Sequence, residues 1–225
     1  MNLAPELLVI TGPTASGKSA LAVRLCEKLG GEIISCDSMQ IYRGCDIVTA
    51  KPTLEERGGI PHHLLDICDP NERFSAAQWA AQARDWISDI EARGKVPVVC
   101  GGTGFYLRAL LQPQVLSEVE PDEELRERLS QELVTEGAAH MHQKLSELDP
   151  AAGARLHLND TFRVLRAIEV AMLRPNSETE IITEAQYIPR IYAIEWPREV
   201  LYQRIEQRVD AMLAEGALEE LRGLR

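Results

Sequence analysis

The chain has 225 residues, 45% of them hydrophobic and 26% charged, with a formal net charge of −11; this is enough for one good-sized globular domain or a core with a small appendage. No apolar stretch approaches the ~20 residues of a membrane span, and the N-terminus lacks the basic-then-apolar order of a signal peptide. The acidic balance argues against a nucleic-acid partner, whose phosphates usually meet a basic surface, although the arginines are not spread evenly along the chain.

The first apolar run, Leu7-Leu8-Val9-Ile10, is short and stops at Thr11-Gly12-Pro13, which predicts a buried strand followed by a loop. Leu21, Leu25 and Leu29 then recur every four residues and predict a helix that ends at Gly30-Gly31. A second strand is expected from Glu32 to Ser35. Strand, helix, strand begins a parallel α/β sheet. Ser75 with Gln78 reads as a capping box, opening a helix with Trp79, Ala83, Trp86 and Ile90 on one face and an end near Gly94. Val96 to Cys100 makes another core strand, with Pro97 suited to its first residues or to an edge. From about Pro113 to Tyr187 the pattern is helical. Leu125, Leu129 and Leu133 form one stripe, and Leu165, Ile168 and Met172 another. Arg190 to Ile194 returns as a strand, and Leu201, Ile205 and Met212 mark a last helix. The expected architecture is an α/β core of residues 1–113 and 188–225, a parallel sheet flanked by helices, interrupted by a helical insertion over 114–187. The five cysteines, Cys26, Cys36, Cys45, Cys68 and Cys100, form no C-x-x-C pair, so they suggest neither a zinc site nor a disulfide framework and fit free thiols in a reducing cytoplasm.

The segment Gly12-Pro13-Thr14-Ala15-Ser16-Gly17-Lys18-Ser19 fits the phosphate-loop pattern G-x-x-x-x-G-K-S/T, with a strand before it and a helix after. Its glycines permit backbone angles at which successive N–H groups point at one anion. The helix that starts near Lys18 adds its positive dipole end. Lys18 supplies a point charge, and Ser19 a hydroxyl for Mg²⁺. The pattern implies polyphosphate binding and leaves open which polyphosphate it is and whether a phosphoryl group moves.

Four further segments follow in order: Asp37-Ser38-Met39-Gln40-Ile41-Tyr42; Thr49-Ala50-Lys51-Pro52 with Pro61-His62-His63-Leu64-Leu65-Asp66; Gly101-Gly102-Thr103-Gly104-Phe105-Tyr106-Leu107; and Asn159-Asp160 with Arg163, Arg166 and Ala167-Ile168-Glu169-Val170. Together with the phosphate loop, this ordered set resembles the tRNA dimethylallyltransferase family from about Leu7 to the end of the chain. The resemblance implies a P-loop NTPase-like fold and transfer of a dimethylallyl group from dimethylallyl diphosphate to N6 of the adenosine beside the anticodon of tRNA. The implied enzyme is a cytoplasmic monomer that uses Mg²⁺ and no membrane.

The roles implied by the resemblance can be set against chemistry. Gly12 to Ser19 would hold the diphosphate, which is the leaving group, and its developing charge suits Lys18, Mg²⁺ and an arginine. Thr103 and Arg208 match the family's contacts to that end of the donor, and Arg208 shares a helix face with Arg204. Asp37 matches the carboxylate that takes the proton from the weakly nucleophilic adenine amine; the residue type alone would fit a helix N-cap or a metal ligand as well. A base must leave its stack to reach a buried donor and needs contacts on its polar edge, a role matched by Asp37, Ser38, Met39, Gln40 and Thr103. Further tRNA contacts are implied at Arg126 and at Phe162, Arg163, Val164, Leu165 and Arg166. Read from the residues themselves, Phe162 belongs in the core, and Arg126 pairs with Glu123, Glu124 or Glu127 on the surface.

His62-His63 reads as packing, since adjacent side chains do not face one ligand, and His140 and His142 have no evident partner set. Val48 stands where the family usually has glycine, and a β-branched residue resists positive φ, so the loop before Thr49 is expected to differ. Arg174-Pro175-Asn176-Ser177 departs from the family's usual Thr-Gly-Lys. Family members continue beyond the position of Arg225 with basic segments that help hold the anticodon stem-loop, and their absence is expected to contribute to the acidic balance. The competing readings are an isopentenyltransferase acting on free AMP, a P-loop small-molecule kinase, and an inactive binding remnant.

Overall fold

A computed structural model describes residues 5–112, 122–173 and 186–224 of the chain. Five strands, β1 (Glu6–Thr11), β2 (Gly31–Ser35), β3 (His62–His63), β4 (Val96–Cys100) and β5 (Ile188–Ala193), form one sheet in the order β3-β2-β4-β1-β5. Every pairing among them is parallel. Parallel neighbours need crossovers, and α1 (Lys18–Leu29), α2 (Ala76–Ala92) and α3 (Gly104–Leu111) lie in them. Leu7, Val9, Ile10, Ile33, Ile34, Val98 and Val99 are at most 2% exposed, as expected of strands covered on both faces. A parallel α/β core is therefore what the alternation of strand and helix signals implied, and its P-loop NTPase-like form is what the family resemblance implied.

Two details differ from the pattern. In α1 the buried face is Ala22, Val23 and Cys26, whereas Leu21 and Leu29 are 43% and 45% exposed. Small side chains let the helix lie close on Ile10, Ile33 and Val98, and the leucine row is a neighbouring ridge. Pro97, by contrast, falls as expected among the first residues of its strand: it is the second residue of β4, a central strand, opposite Glu32 of β2, where few ladder bonds are lost. The final helical region is two elements, α7 (Arg198–Ala214) and α8 (Ala217–Gly223), with Gly216 at φ 100° between them.

The capping box at the start of α2 is present in both directions: Gln78 N–H donates to Ser75 Oγ at 3.2 Å and Ser75 N–H to Gln78 Oε1 at 2.8 Å. One turn on, Trp79 is fully buried, stacks on Tyr106, and donates its indole N–H to Ser35 O at 3.0 Å. This ties α2 and α3 to the carboxyl end of β2, where the site lies. At the opposite end of the same strand, Glu32 is 2% exposed. It accepts from Arg93 and from Lys95 (2.6 Å), and His63 Nε2 lies 2.7 Å away. The His63 ring stacks on Trp86 with centroids 3.8 Å apart, and His62 Nδ1 is 2.8 Å from Ile60 O, so the histidine pair packs into the sheet edge.

Contacts divide the chain into two units, Met1–Val115 with Thr183–Arg225, and Leu116–Ile182. In the second, α4 (Glu123–Leu148), α5 (Pro150–Arg155) and α6 (Thr161–Leu173) enclose Leu125, Leu129, Met141, Leu145, Ala152, Val164 and Ile168. Asp122 caps α4 through Leu125 N–H at 2.9 Å, and α4 breaks at Gly137, with φ 85° and ψ 170°. On α6 the inward row is Val164-Ile168, while Met172 is 37% exposed. His140 and His142 have partners after all, Glu132 at 3.1 Å and Leu156 O at 2.8 Å. The departure at Arg174-Pro175-Asn176-Ser177 lies outside the described residues.

The guanidinium of Arg93, followed by Lys95 and His63, holds the Glu32 carboxyl far below its ordinary value of 4.5 against the opposing pull of burial. A depressed carboxyl contributes stability that is present above the ordinary value and is lost as pH falls below it. Glu32→Gln is therefore expected to cost about 2–3 kcal/mol at pH 7 and to flatten the acid limb below pH 4.5, as measured by urea unfolding at a series of pH values. An unchanged acid limb contradicts the assignment.

Candidate active site

The phosphate loop joins β1 to α1, and its carbonyl groups are occupied by side chains, one from the loop itself and two from outside. Lys18 Nζ donates to Pro13 O at 3.3 Å, Arg204 Nε to Ala15 O at 2.7 Å and Trp196 Nε1 to Ser16 O at 2.9 Å. The Arg204 guanidinium also lies over the Trp196 ring, 4.9 Å from its centroid. Ala15 is held at φ 61° and Gly17 at φ 92°, left-handed angles that turn consecutive peptide planes the same way. A Cβ on Gly12, at φ 151°, would come within 3.0 Å of Ile194 O and Ser16 Oγ, so β5 closes on the turn. Ser16 Oγ is buried without a hydrogen-bond partner. A buried hydroxyl without a partner at the base of an anion-binding turn, together with the unpaired N–H groups of the first turn of α1, is a cradle for an oxyanion.

Asp37 comes two residues after β2. Its Oδ1 accepts Met39 N–H at 2.9 Å, so the carboxylate closes a local turn and caps no helix. Thr103, at the start of α3, accepts Ser38 N–H on its Oγ1 at 2.9 Å. The strands behind these residues are laced together: Gly101 N–H donates to Ile10 O at 3.1 Å and Thr103 N–H to Cys36 O at 3.1 Å. A Cβ on Gly101 would lie 2.0 Å from Cys36 O, so only glycine admits this approach. The carboxyl ends of β1, β2 and β4 thus bring the phosphate loop, Asp37 to Gln40 and Thr103 into one place, where open α/β sheets put their sites. Burial lowers the Lys18 pKa, with the nearby Asp37 charge opposing and Arg208 acting in the same direction as burial.

A cavity of about 820 Å³ opens beside Lys18 and Ser19, walled by the loop after Cys45 and by α7, including Arg204 and Arg208. Asp37 and Thr103 are not on its wall; they adjoin it through Lys18. Lys51 is buried and donates to Tyr42 O at 2.9 Å, Asp46 at 2.6 Å and Asp66 at 2.5 Å. Arg208 reaches Ala50 O at 3.4 Å, and Gln40 Nε2 reaches the same carbonyl at 3.2 Å. Val48 does not take the left-handed conformation; in this loop it falls on Ala50, at φ 45°. Val48 N–H donates to Glu220 Oε2 at 2.9 Å. All five cysteines are free and buried. Burial pushes Cys26 up to about 11 and Cys100 up to about 12, so both are neutral thiols near pH 7.

The remaining candidates lie in the helical unit. Arg126 pairs mainly with Glu169, at 3.0 Å, and only loosely with Glu123, at 3.6 Å. Arg166 donates to the same carboxylate at 2.6 Å, and Asp122 N–H at 2.8 Å. Glu169 is 1% exposed and had attracted no role from the sequence. Arg163 pairs with Asp160 at 3.1 Å. The expectation that Phe162 packs in the core is overturned: it is 83% exposed, because α6 turns Val164 and Ile168 inward. Val164, in turn, is 1% exposed and belongs to the packing of the unit. Leu165 is half-buried.

The model of the IPP transferase family matches residues 40–225. The chain belongs to that family. An isopentenyl transferase model also matches residues 5–67. The tRNA dimethylallyltransferases of Symbiobacterium thermophilum and Geobacter metallireducens are 48% and 49% identical, over 97% of this chain and 70% and 72% of theirs. Among solved structures, the tRNA isopentenylpyrophosphate transferase of Bacillus halodurans superposes with a TM-score of 0.67 at 42% identity, covering 97% of this chain and 69% of that one. A eukaryotic dimethylallyltransferase acting on tRNA gives a TM-score of 0.81 at 33% identity, over 98% of this chain and 56% of that one.

Trp196→Phe keeps a ring beneath Arg204 and removes one donor to the loop. Calorimetric titration with inorganic pyrophosphate and Mg²⁺ should show about 5-fold weaker binding, the equivalent of roughly 1 kcal/mol for one lost hydrogen bond. Unaltered affinity contradicts a bracing role for the indole.

Proposed function

We propose that this protein transfers the dimethylallyl group of dimethylallyl diphosphate to N6 of the adenosine beside the anticodon in tRNA, releasing diphosphate. The observation that carries the reading is the meeting of an anion cradle at Gly12 to Ser19 with Asp37 and with Thr103, which is bonded to the neighbouring Ser38, at adjacent strand ends, in a chain that is nearly half identical to tRNA dimethylallyltransferases.

In this reading the adenine amine attacks the first carbon of the dimethylallyl group while the bond to the diphosphate oxygen breaks. The electron pair leaves with the diphosphate. Lys18, Arg208 and the N–H groups of the loop stabilise the charge that develops there. Asp37 accepts the proton lost from N6, and its fixed turn with Met39 keeps it aimed. Ser38, Met39, Gln40 and Thr103 contact the extruded base. Of the alternative readings for Asp37, the helix N-cap loses ground, because its carboxylate closes a turn with Met39 and caps no helix.

Mg²⁺ fits the residues present. Ser19 places a hard oxygen donor on the cavity wall beside Lys18, and Mg²⁺ usually takes few protein ligands and completes its shell with water and substrate phosphates. When bound it would neutralise charge on the departing diphosphate. The helical unit is proposed as the part that contacts tRNA, through Arg126, Phe162, Arg163 and Arg166, and the core as the donor-binding part. Among the described residues no helix is long and apolar enough to cross a membrane; a monomer in the cytoplasm is the proposed state.

The test is incubation with Mg²⁺ and labelled dimethylallyl diphosphate in the presence of unmodified tRNA, of AMP, or of ATP. Label in tRNA is the expected result. Label in AMP, or consumption of ATP, replaces the reading by an AMP isopentenyltransferase or a kinase. Asp37→Ala should lower transfer at least ~100-fold, the usual scale for a general base, while donor affinity measured by calorimetry stays within about 3-fold of the wild type. Near-normal turnover in that variant contradicts the base assignment.

A further inference from the structure

Glu220, on α8, accepts three consecutive backbone N–H groups from a distant loop: Asp46 at 2.7 Å and Ile47 at 2.8 Å on one oxygen, and Val48 at 2.9 Å on the other. Consecutive amides converging on one anion form the same device that a phosphate loop presents to its ligand. Here the chain supplies its own anion, from 172 residues away. Bonds of this kind, N–H to carboxylate, are about twice as strong as neutral ones.

The loop so held has consequences at the cavity. Ala50 N–H donates to Ile47 O at 2.8 Å, and Lys51 N–H to Asp46 O at 2.8 Å, so the turn through Ala50 is built directly on the anchored residues. Ala50 sits at φ 45°, an angle that an alanine keeps only when its surroundings impose it. Its carbonyl then receives Gln40 Nε2 at 3.2 Å and Arg208 at 3.4 Å. Gln40 belongs to the proposed base-contacting segment and Arg208 to the proposed diphosphate site, so one carbonyl oxygen spaces the two halves of the site. Asp46, Ile47, Ala50 and Lys51 all line the cavity.

We propose that Glu220 is a positioning residue. Its carboxylate fixes the loop from Asp46 to Lys51, and through the Ala50 carbonyl it sets Arg208 against Gln40 for transfer. This deepens the reading above and rests on it. Glu220 touches no substrate; its effect is relayed by backbone geometry, where a displacement of about 1 Å can cost up to ~100-fold in rate.

The test is steady-state transfer to tRNA by the wild type, Glu220→Ala and Glu220→Gln, with and without added formate, alongside amide spectra of residues 46 to 48. In Glu220→Ala, kcat/KM for the donor is expected to fall about 10-fold. Formate, a carboxylate small enough to enter the vacated amide cluster, should restore much of it, a response that a general loss of stability would not give. Glu220→Gln retains the chain length and one accepting oxygen, and should show a fall of about 3-fold with upfield movement of the three amide protons. Activity within twofold of wild type in Glu220→Ala, a deficit that formate leaves untouched, or unmoved amide protons in Glu220→Gln overturns the inference. Should the wild type transfer nothing to tRNA, the proposed function fails instead, and the amide protons of Glu220→Gln still decide whether this carboxylate anchors the loop.

Discussion

A loop that binds an oxyanion through its N–H groups must place its carbonyl groups somewhere else, because every buried peptide carries one of each. In this chain the solution is supplied from the far end of the sequence. Trp196 takes the Ser16 carbonyl and Arg204 the Ala15 carbonyl, while the closeness of Ile194 to Gly12 fixes the entry to the turn. With the carbonyl groups tied outward, the loop holds Ala15 in a left-handed conformation without a glycine. The rest of the site is organised around that constraint.

The C-terminal elements do more than cover the sheet. Strand β5 runs beside β1 over six registered pairs, and it delivers Trp196 and α7 to the outer side of the phosphate loop. Along α7, Arg204 braces the loop and Arg208, one turn later, faces the cavity. After the break at Gly216, α8 brings Glu220 to the opposite wall. A single stretch after β5 therefore supports both sides of the cavity, whereas the residues proposed to meet the substrates directly come mostly from the first hundred or so. Rigid support behind a few substrate-facing groups is what transition-state stabilisation by fixed dipoles requires.

Much of this organisation could be read in the sequence, for identifiable reasons. Short apolar runs bounded by glycine gave the strands, and the phosphate loop carries its own spacing. The capping box of Ser75 and Gln78 is a local signal, and the local contact followed. What failed was what depends on neighbours distant in sequence. Leu21, Leu25 and Leu29 gave a clean periodicity, yet the helix buried its small side chains because the sheet comes close there. Phe162 is apolar and lies outside, since Val164 and Ile168 already fill the inward row. Arg126 was assigned to near neighbours and found its main partner in Glu169, with Glu123 second. Trp196, Arg204 and Glu220 carry no local signature as braces, because their partners are backbone groups more than 170 residues away.

The central claim is that the outward-tied loop holds the diphosphate of an isoprenoid donor with Asp37 alongside. A crystal structure of the protein with Mg²⁺ and a non-hydrolysable thio-analogue of dimethylallyl diphosphate tests it most directly. The account predicts phosphate oxygens within hydrogen-bond distance of the N–H groups of the 14–19 segment and of Lys18, with the reactive carbon directed toward Asp37. Diphosphate bound elsewhere, or an isoprenoid chain directed away from Asp37, would contradict it.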